Sequence, residues 1–114
     1  MPDEIKADEK LIESFHLMYD HFPEVVQLTH KSKRIVAVNP ACQAIGREVG
    51  MVCATHGPPE AHQGCLAAGA VRDQDAKWKP AGKEHTMAFW LPINGYPDFF
   101  IHFAMGYAVD FSKP

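Results

Sequence analysis

Hydrophobic residues near the N-terminus recur with the spacing of an α-helix. From Leu11 onward the apolar positions are three or four residues apart, which places them in one stripe along a helix. Pro23 ends the stripe, because proline cannot continue a regular helix. The pattern predicts an amphipathic helix over residues 3–22. Its apolar positions are Ile5, Leu11, Ile12, Phe15, Met18, Tyr19 and Phe22.

Two runs rich in β-branched residues follow the proline. Val25–Thr29 is the first run, Arg34–Val38 is the second, and a short polar link at His30–Lys33 joins them. Two such runs with a short polar connection are typical of a β-hairpin. We therefore expect two paired strands in this part of the chain.

Two later segments have the composition of a helix start. Asn39 is a favoured N-cap residue and Pro40 suits the first helical position, so a short helix should run from here to about Ile45. The segment GPPE at 57–60 places prolines and an acidic residue in a first turn. It predicts a second helix that would carry His62, Cys65, Leu66 and Ala70.

The C-terminal part of the chain alternates between the two faces of extended strands. The predicted strands cover residues 75–79, 84–93 and 99–111. Asn94-Gly95 is a strong turn signal between the last two strands, and we expect Pro97-Asp98 to lengthen that loop. The order of elements is a helix, two strands, short helices and three strands. This order predicts the α+β class, with an antiparallel sheet of about five strands and helices on one face.

Composition narrows the classes of protein that fit. A length of 114 residues suits one domain. The net charge is −3 and the longest basic run is Lys31–Arg34, which argues against nucleic acid as the main partner. No run approaches the roughly 20 apolar residues of a membrane span, and the acidic N-terminus lacks a signal-peptide pattern. We therefore expect a cytoplasmic protein without a membrane segment.

The segment EVVQLTHKSKRIVAVNPACQAIGREVGMVC, residues 24–53, resembles the opening of a PAS sensor domain. PAS domains begin with a strand, a polar turn and a second strand that ends in the pattern I-x-x-V-N-x-A, which is met here by residues 35–41. A short helix that ends in glycine follows, as at Gly46, and then a further glycine step, as at Gly50. The segment FFIHFAMGYAVDFS at 99–112 resembles the last PAS strand. The resemblance covers about residues 22–111.

The resemblance implies a specific architecture and role. It implies a five-stranded antiparallel sheet with short helices on one face and a ligand pocket between them. Residues 1–22 would form a flanking helix and residues 23–114 the sensor domain. PAS domains detect a small molecule, a metal or a redox state and signal through protein–protein contacts. The resemblance also implies a signalling partner protein. Residues 8–22 carry an apolar stripe and the strands carry further apolar surface, and one of these two surfaces should be covered, most simply by a second copy, which predicts a homodimer.

The segment CATHGPPEAHQGC at 53–65 concentrates four soft metal ligands. Cys53, His56, His62 and Cys65 form a Cys2His2 set, which suits tetrahedral zinc. The five-residue link between its halves is shorter than in most zinc fingers. Two other interpretations stay open. Cys53 and Cys65 could form a redox pair, with a thiol pKa lowered by His56, or the segment could be a polar loop with buried thiols. Cys42 is expected to pack in the core.

A haem interpretation rests on His62 and His102. Haem-binding PAS domains ligate iron through a histidine on the helix that faces the sheet, and the resemblance gives His62 that place. His102 lies on the small-residue face of the last predicted strand and could line the same pocket. No serine elbow, phosphate-binding loop or carboxylate pair marks a catalytic site, so we expect no enzyme activity. A pure dimerisation or interaction module without a ligand is the remaining alternative.

Overall fold

The computed structural model describes residues 9–52, 65–80 and 85–106, which contain three helices and five strands. The helices are α1 (Glu9–Tyr19), α2 (Pro40–Ala44) and α3 (Ala67–Asp73). The strands are β1 (Val25–His30), β2 (Ile35–Val38), β3 (Lys77–Pro80), β4 (Met87–Ile93) and β5 (Tyr96–Met105). None of these helices is both long and apolar enough to cross a bilayer.

The described strands form one antiparallel sheet in the order β2-β1-β5-β4-β3. Strands that are far apart in sequence lie at its centre. Gln27 of β1 lies opposite His102 of β5, and His102 also lies opposite Trp90 of β4. The prediction of a five-stranded antiparallel sheet in an α+β fold is confirmed.

Helix α1 packs on one face of the sheet, which we call the outer face. Leu11 and Phe15 are the buried residues of α1, and they join the core cluster of this face. Burying a large apolar side chain contributes roughly 1.5–3 kcal/mol, so these two contacts hold the helix on the sheet. The strand residues of the outer face are Val26, Leu28, Phe99, Ile101 and Phe103.

The opposite face of the sheet, which we call the inner face, carries α2 and α3. Its buried side chains on the three central strands are those of Val25, Gln27, Thr29, Ala88, Trp90, Phe100, His102 and Ala104, which alternate with the outer-face residues along each strand. At one end Cys42 of α2 packs with Ala104, as expected for a core cysteine. At the other end Ala70 of α3 packs with Trp90. The resemblance implies a ligand pocket between the sheet and its short helices. Since α2 and α3 cover the inner face, the inner face is the side on which that pocket is expected.

Asn39 joins the end of the hairpin to α2. Its side chain is fully buried and satisfies all of its hydrogen-bonding groups. The Oδ1 atom accepts hydrogen bonds from the backbone N–H groups of Cys42 at 3.0 Å and Val26 at 3.2 Å. The Nδ2 group donates to the carbonyl oxygens of Phe22 at 3.0 Å and Glu24 at 2.8 Å. The predicted N-cap is confirmed, and the same side chain also fixes the start of β1.

The predicted end of the first helix is wrong, and so is the prediction that Cys65 and Leu66 lie in a helix. Helix α1 ends at Tyr19 and not at Phe22. Proline disfavours helical dihedral angles in the residue before it, so Phe22 leaves the helix and packs edge to face on Phe103, with ring centroids 5.7 Å apart. Helix α3 begins only at Ala67, so Cys65 precedes the helix. A short helix has little stability alone, and α3 forms where its alanines pack on the sheet. Residues 53–64 lie outside the described residues.

Strand β4 begins later than predicted, at Met87 and not at residue 84. His85 has a left-handed backbone with φ of 62°, which an extended strand does not accommodate. Gly106, after β5, also has a positive φ, of 95°. A Cβ atom at Gly106 would overlap the carbonyl oxygen of His85, so the two segments approach each other closely. Residues 107–111 of the last predicted strand lie outside the described residues.

The prediction that Pro97 and Asp98 lengthen the loop is wrong, because both residues belong to β5. The turn closes at Asn94-Gly95, and a register shift between Pro92 and Ile93 absorbs the extra residues. The carbonyl oxygen of Asp98 accepts a hydrogen bond from the N–H of Lys31 at 2.8 Å. The residue that follows β1 therefore holds this stretch extended along the side of β5 that faces away from β4.

Candidate functional site

A row of polar side chains crosses the inner face at the centre of the sheet. Gln27 and Thr29 of β1 are fully buried, and His102 of β5 is 8% exposed. They lie between two apolar clusters, one around α2 and one around α3. Burying polar groups costs free energy unless they form hydrogen bonds, so a polar row in a small core needs a structural or functional reason.

Arg47 reaches this row from the segment after α2. Its Nη1 group donates a hydrogen bond to Gln27 Oε1 at 2.9 Å. Gln27 Nε2 in turn donates to Thr29 Oγ1 at 2.9 Å, and the Cys42 thiol contacts Gln27 Oε1 at 3.7 Å. These contacts fix the Gln27 amide and the guanidinium group relative to each other. The Arg47 Nε atom is buried and has no hydrogen-bond partner.

His102 is held in one orientation by its neighbours. Its ring stacks on Trp90, with centroids 5.1 Å apart and an interplanar angle of 13°. Its Nδ1 atom lies 3.0 Å from the carbonyl oxygen of Phe89. Since a carbonyl oxygen only accepts hydrogen bonds, Nδ1 carries a proton and donates a hydrogen bond to this oxygen. This arrangement presents an oriented imidazole among apolar and aromatic groups.

The edge of the inner face is basic. Lys77 and Lys79 of β3 lie opposite Trp90 and Ala88, so they share the inner-face side of the sheet. Lys77 forms an ion pair with Asp73 of α3 at 3.1 Å. Hydrogen bonds from Arg72 and then Lys77 lower the pKa of the Asp73 carboxyl well below its usual range. That carboxylate is therefore already paired with two basic side chains.

The residues predicted for a metal or haem site have separate outcomes. Cys65 is an exposed free thiol just before α3. Cys53, His56 and His62 lie outside the described residues, so the zinc, redox and haem interpretations stay predictions. His102 does lie on the inner face, as expected. Within residues 9–52, 65–80 and 85–106, no group of three or more histidine, cysteine or acidic side chains is arranged to hold a metal ion.

Three site residues were not singled out from the sequence: Gln27, Thr29 and Arg47. The run Val25–Thr29 was interpreted only as a β-branched strand. The sequence did contain a signal for Gln27 and Thr29. The two residues are two positions apart in a strand, so they share a face with Val25. Polar residues on the core face of a strand are candidates for a site. Nothing local places Arg47 beside Gln27, because 20 residues separate them.

A cavity lies on the outer face, between α1 and strands β4 and β5. Its volume is about 260 Å³, and most of its walls are apolar. Phe15 and Met18 of α1 form one wall, and Leu91 and Phe103 form the other. Met18 is 63% exposed and the preceding Leu17 is 86% exposed, so α1 presents apolar surface away from the sheet.

Solved structures share this fold, although no family model and no curated protein sequence matches the chain. A sensory box sensor histidine kinase from Vibrio cholerae superposes with a TM-score of 0.60 at 9% identity, over 90% of this chain and 97% of that chain. The PAS domain of Bordetella pertussis BvgS gives 0.59 at 16% identity, over 85% of both chains. The PAS domain of an HTR-like protein from Haloarcula marismortui gives 0.54 at 14% identity, over 84% and 91%.

At these identities the likeness concerns the fold. The strand order β2-β1-β5-β4-β3, the two short helices on the inner face and the match over most of each chain all agree with the resemblance seen in the sequence. The chain has a PAS-like fold.

Proposed function

We propose that this domain senses a chemical signal by binding a small molecule on the inner face of its sheet, and that it passes the result to a partner protein. One observation carries the proposal, which is the buried polar row formed by Gln27, Thr29 and His102 with Arg47. An apolar row would stabilise a core of this size at lower desolvation cost. Oriented polar groups within an apolar surrounding are typical of ligand pockets.

The ligand-binding part of the proposal can be tested on the purified protein. Native mass spectrometry would detect a ligand that copurifies, and a thermal-shift screen of metabolites would find one that does not. Gln27→Met should abolish the stabilisation by such a ligand, because it removes the amide that links Arg47 to Thr29. Gln43→Met makes the same chemical change at an exposed position of α2 and should leave it intact. Loss of binding in both variants, or in neither, would contradict an inner-face site.

The output part of the proposal rests on α1 and the outer face. Leu17 is 86% exposed, Met18 is 63% exposed and Trp78 on β3 is 61% exposed, so this side of the domain offers apolar contact surface. We propose that a homodimer or a partner protein covers it. Light scattering at high micromolar concentration should show a dimer that Met18→Glu weakens and the exposed control Gln43→Glu does not. A monomeric wild-type protein would refute the homodimer.

Zinc or haem binding, a cytoplasmic location and the division of the chain after residue 22 remain predictions from the sequence. An absorbance spectrum of the purified protein tests haem, because a Soret band would show that haem is bound. Metal analysis tests zinc. A protein with neither metal nor copurified ligand, and with no hit in the screen, would instead favour the pure interaction module.

A further inference from the structure

We infer that the ligand of the inner face is a small carboxylate bound through the guanidinium group of Arg47. The inference rests on the proposed ligand-binding function and adds the chemical class of the ligand. It starts from the Arg47 Nε atom, which is buried and has no hydrogen-bond partner. An unsatisfied buried N–H group costs free energy, and the cost is greater when the group is charged.

The position of the guanidinium group is fixed before any ligand arrives. Nη1 of Arg47 is held by Gln27 Oε1 at 2.9 Å, and the Gln27 amide is held in turn by Thr29 at 2.9 Å. Gln27 and Thr29 are both fully buried in a central strand, so this support is rigid. A preorganised arginine loses little conformational freedom on binding, which favours affinity for its partner.

The open side of the guanidinium group selects a carboxylate. The Nε–H bond and one Nη2–H bond point the same way, and this pair of donors matches the two oxygens of a carboxylate. No described carboxylate forms an ion pair with Arg47. The acid nearest to the basic edge of the inner face, Asp73, is paired with Arg72 and Lys77. The charge balance of the described part of the inner face is therefore positive, which favours an anion.

The neighbouring side chains limit the size of the carboxylate. Ala88 and Ala104 lie opposite each other next to the stacked pair of Trp90 and His102. Both alanines are buried, Ala104 beneath Cys42 of α2 and Ala88 beneath the alanines of α3. Because the two helices cover the sheet here, we expect only a small body attached to the carboxylate to be accommodated. Benzoate is a suitable probe because its neutral isostere, benzamide, differs almost only in charge.

Nuclear magnetic resonance can observe the atom that carries the inference. In ¹⁵N-labelled full-length protein, the Arg47 Nε–H signal is identified by its disappearance in Arg47→Lys. Sodium benzoate, benzamide and sodium phosphate are each titrated at constant ionic strength. We expect benzoate to shift this signal saturably and to bind at least about tenfold more tightly than benzamide, because hydrogen bonds to charged groups are the stronger ones. Benzamide binding as tightly as benzoate would overturn the inference.

Two arginine variants separate a specific site from general attraction. Arg47→Gln keeps an amide near Gln27 but removes the charged fork, and it should weaken benzoate binding at least about tenfold. Arg72→Gln removes a charge of the same sign at a site that is 74% exposed and should leave the affinity unchanged. Circular dichroism checks that both variants are folded. Equal weakening in both variants would show general attraction and overturn the inference.

The remaining outcomes distinguish this inference from the proposed function. Saturation by phosphate and not by benzoate would overturn the carboxylate assignment. A neutral ligand that shifts Gln27 and His102 signals and binds Arg47→Gln as tightly as wild type would leave the sensor function in place and overturn the anionic ligand. If benzoate causes no shift of the Arg47 signal up to its solubility limit, the carboxylate assignment is overturned and the sensor function is left in place.

Discussion

Replacing Asn39 by alanine removes the side chain that joins the hairpin to α2. Four hydrogen bonds are lost, two that Oδ1 accepts from the N–H groups of Val26 and Cys42 and two that Nδ2 donates to the carbonyl oxygens of Phe22 and Glu24. The site is fully buried, so the backbone groups left behind have no ready access to water.

The expected loss of stability follows from these contacts. Loss of an N-cap costs about 1 kcal/mol. The Val26 N–H group and the two carbonyl oxygens then lose their side-chain partner within the core, and each buried group left unsatisfied costs about 1–3 kcal/mol. Because the contact with the Phe22 carbonyl oxygen is only partly buried, we expect a total of about 3–5 kcal/mol. That is a large share of the roughly 5–15 kcal/mol by which a domain is stable.

Urea unfolding followed by circular dichroism measures this loss. The midpoint should fall while the slope with urea stays constant. Gln43→Ala, at an exposed position of the same short helix, is the matched control and should change stability by less than about 0.5 kcal/mol. Asn39→Asp keeps the two acceptor contacts but turns a carboxylate toward two carbonyl oxygens, so it should be unstable at neutral pH and recover in acid. A loss below about 1 kcal/mol in Asn39→Ala would refute the role of Asn39, because that is the cost of the cap alone.

Three further predictions concern other parts of the chain. A Cβ atom at Gly69 of α3 would make only ordinary contacts, so Gly69→Ala should stabilise the protein by about 0.5–1 kcal/mol. Gly106→Ala should destabilise the protein, because its Cβ atom would overlap the carbonyl oxygen of His85. Equal effects of the two substitutions on the melting temperature would contradict this prediction. Burial lowers the pKa of His30 from 6.5, against the opposing effect of Asp98, so its contribution to stability should be complete above pH 6.5 and be lost as the pH falls through the folded-state pKa. A pKa of 6.5 or more for His30, measured by a nuclear magnetic resonance titration, would refute this prediction. The zinc prediction requires one zinc ion per chain in protein purified without a metal-affinity tag. Cys53→Ser should release that zinc and lower the melting temperature. Wild-type protein that contains no metal would refute the prediction.

The candidate site was only partly predictable from the sequence. His102 was expected on the small-residue face of the last strand, and it lies on the inner face of β5. Its stacking on Trp90 depends on the pairing of two strands, which no local pattern specifies. The contact of Arg47 with Gln27 depends on how the chain turns after α2. The local pattern correctly predicted which face of the strand carries His102. The contacts of His102 and Arg47 depend on the tertiary structure.

By itself the sequence determined the features whose causes lie within a few residues. The hairpin, the cap at Asn39, the turn at Asn94-Gly95 and the apolar stripe of α1 all follow from turn chemistry, capping and side-chain periodicity. The tertiary structure decided the features that depend on distant contacts. Helix α3 begins where its alanines pack on β4 and β5, Asp98 stays extended because Lys31 binds it, and Asn39 satisfies backbone groups on both sides of β1. Burial and cross-strand hydrogen bonds stabilise these arrangements, and both arise only when the whole sheet has formed.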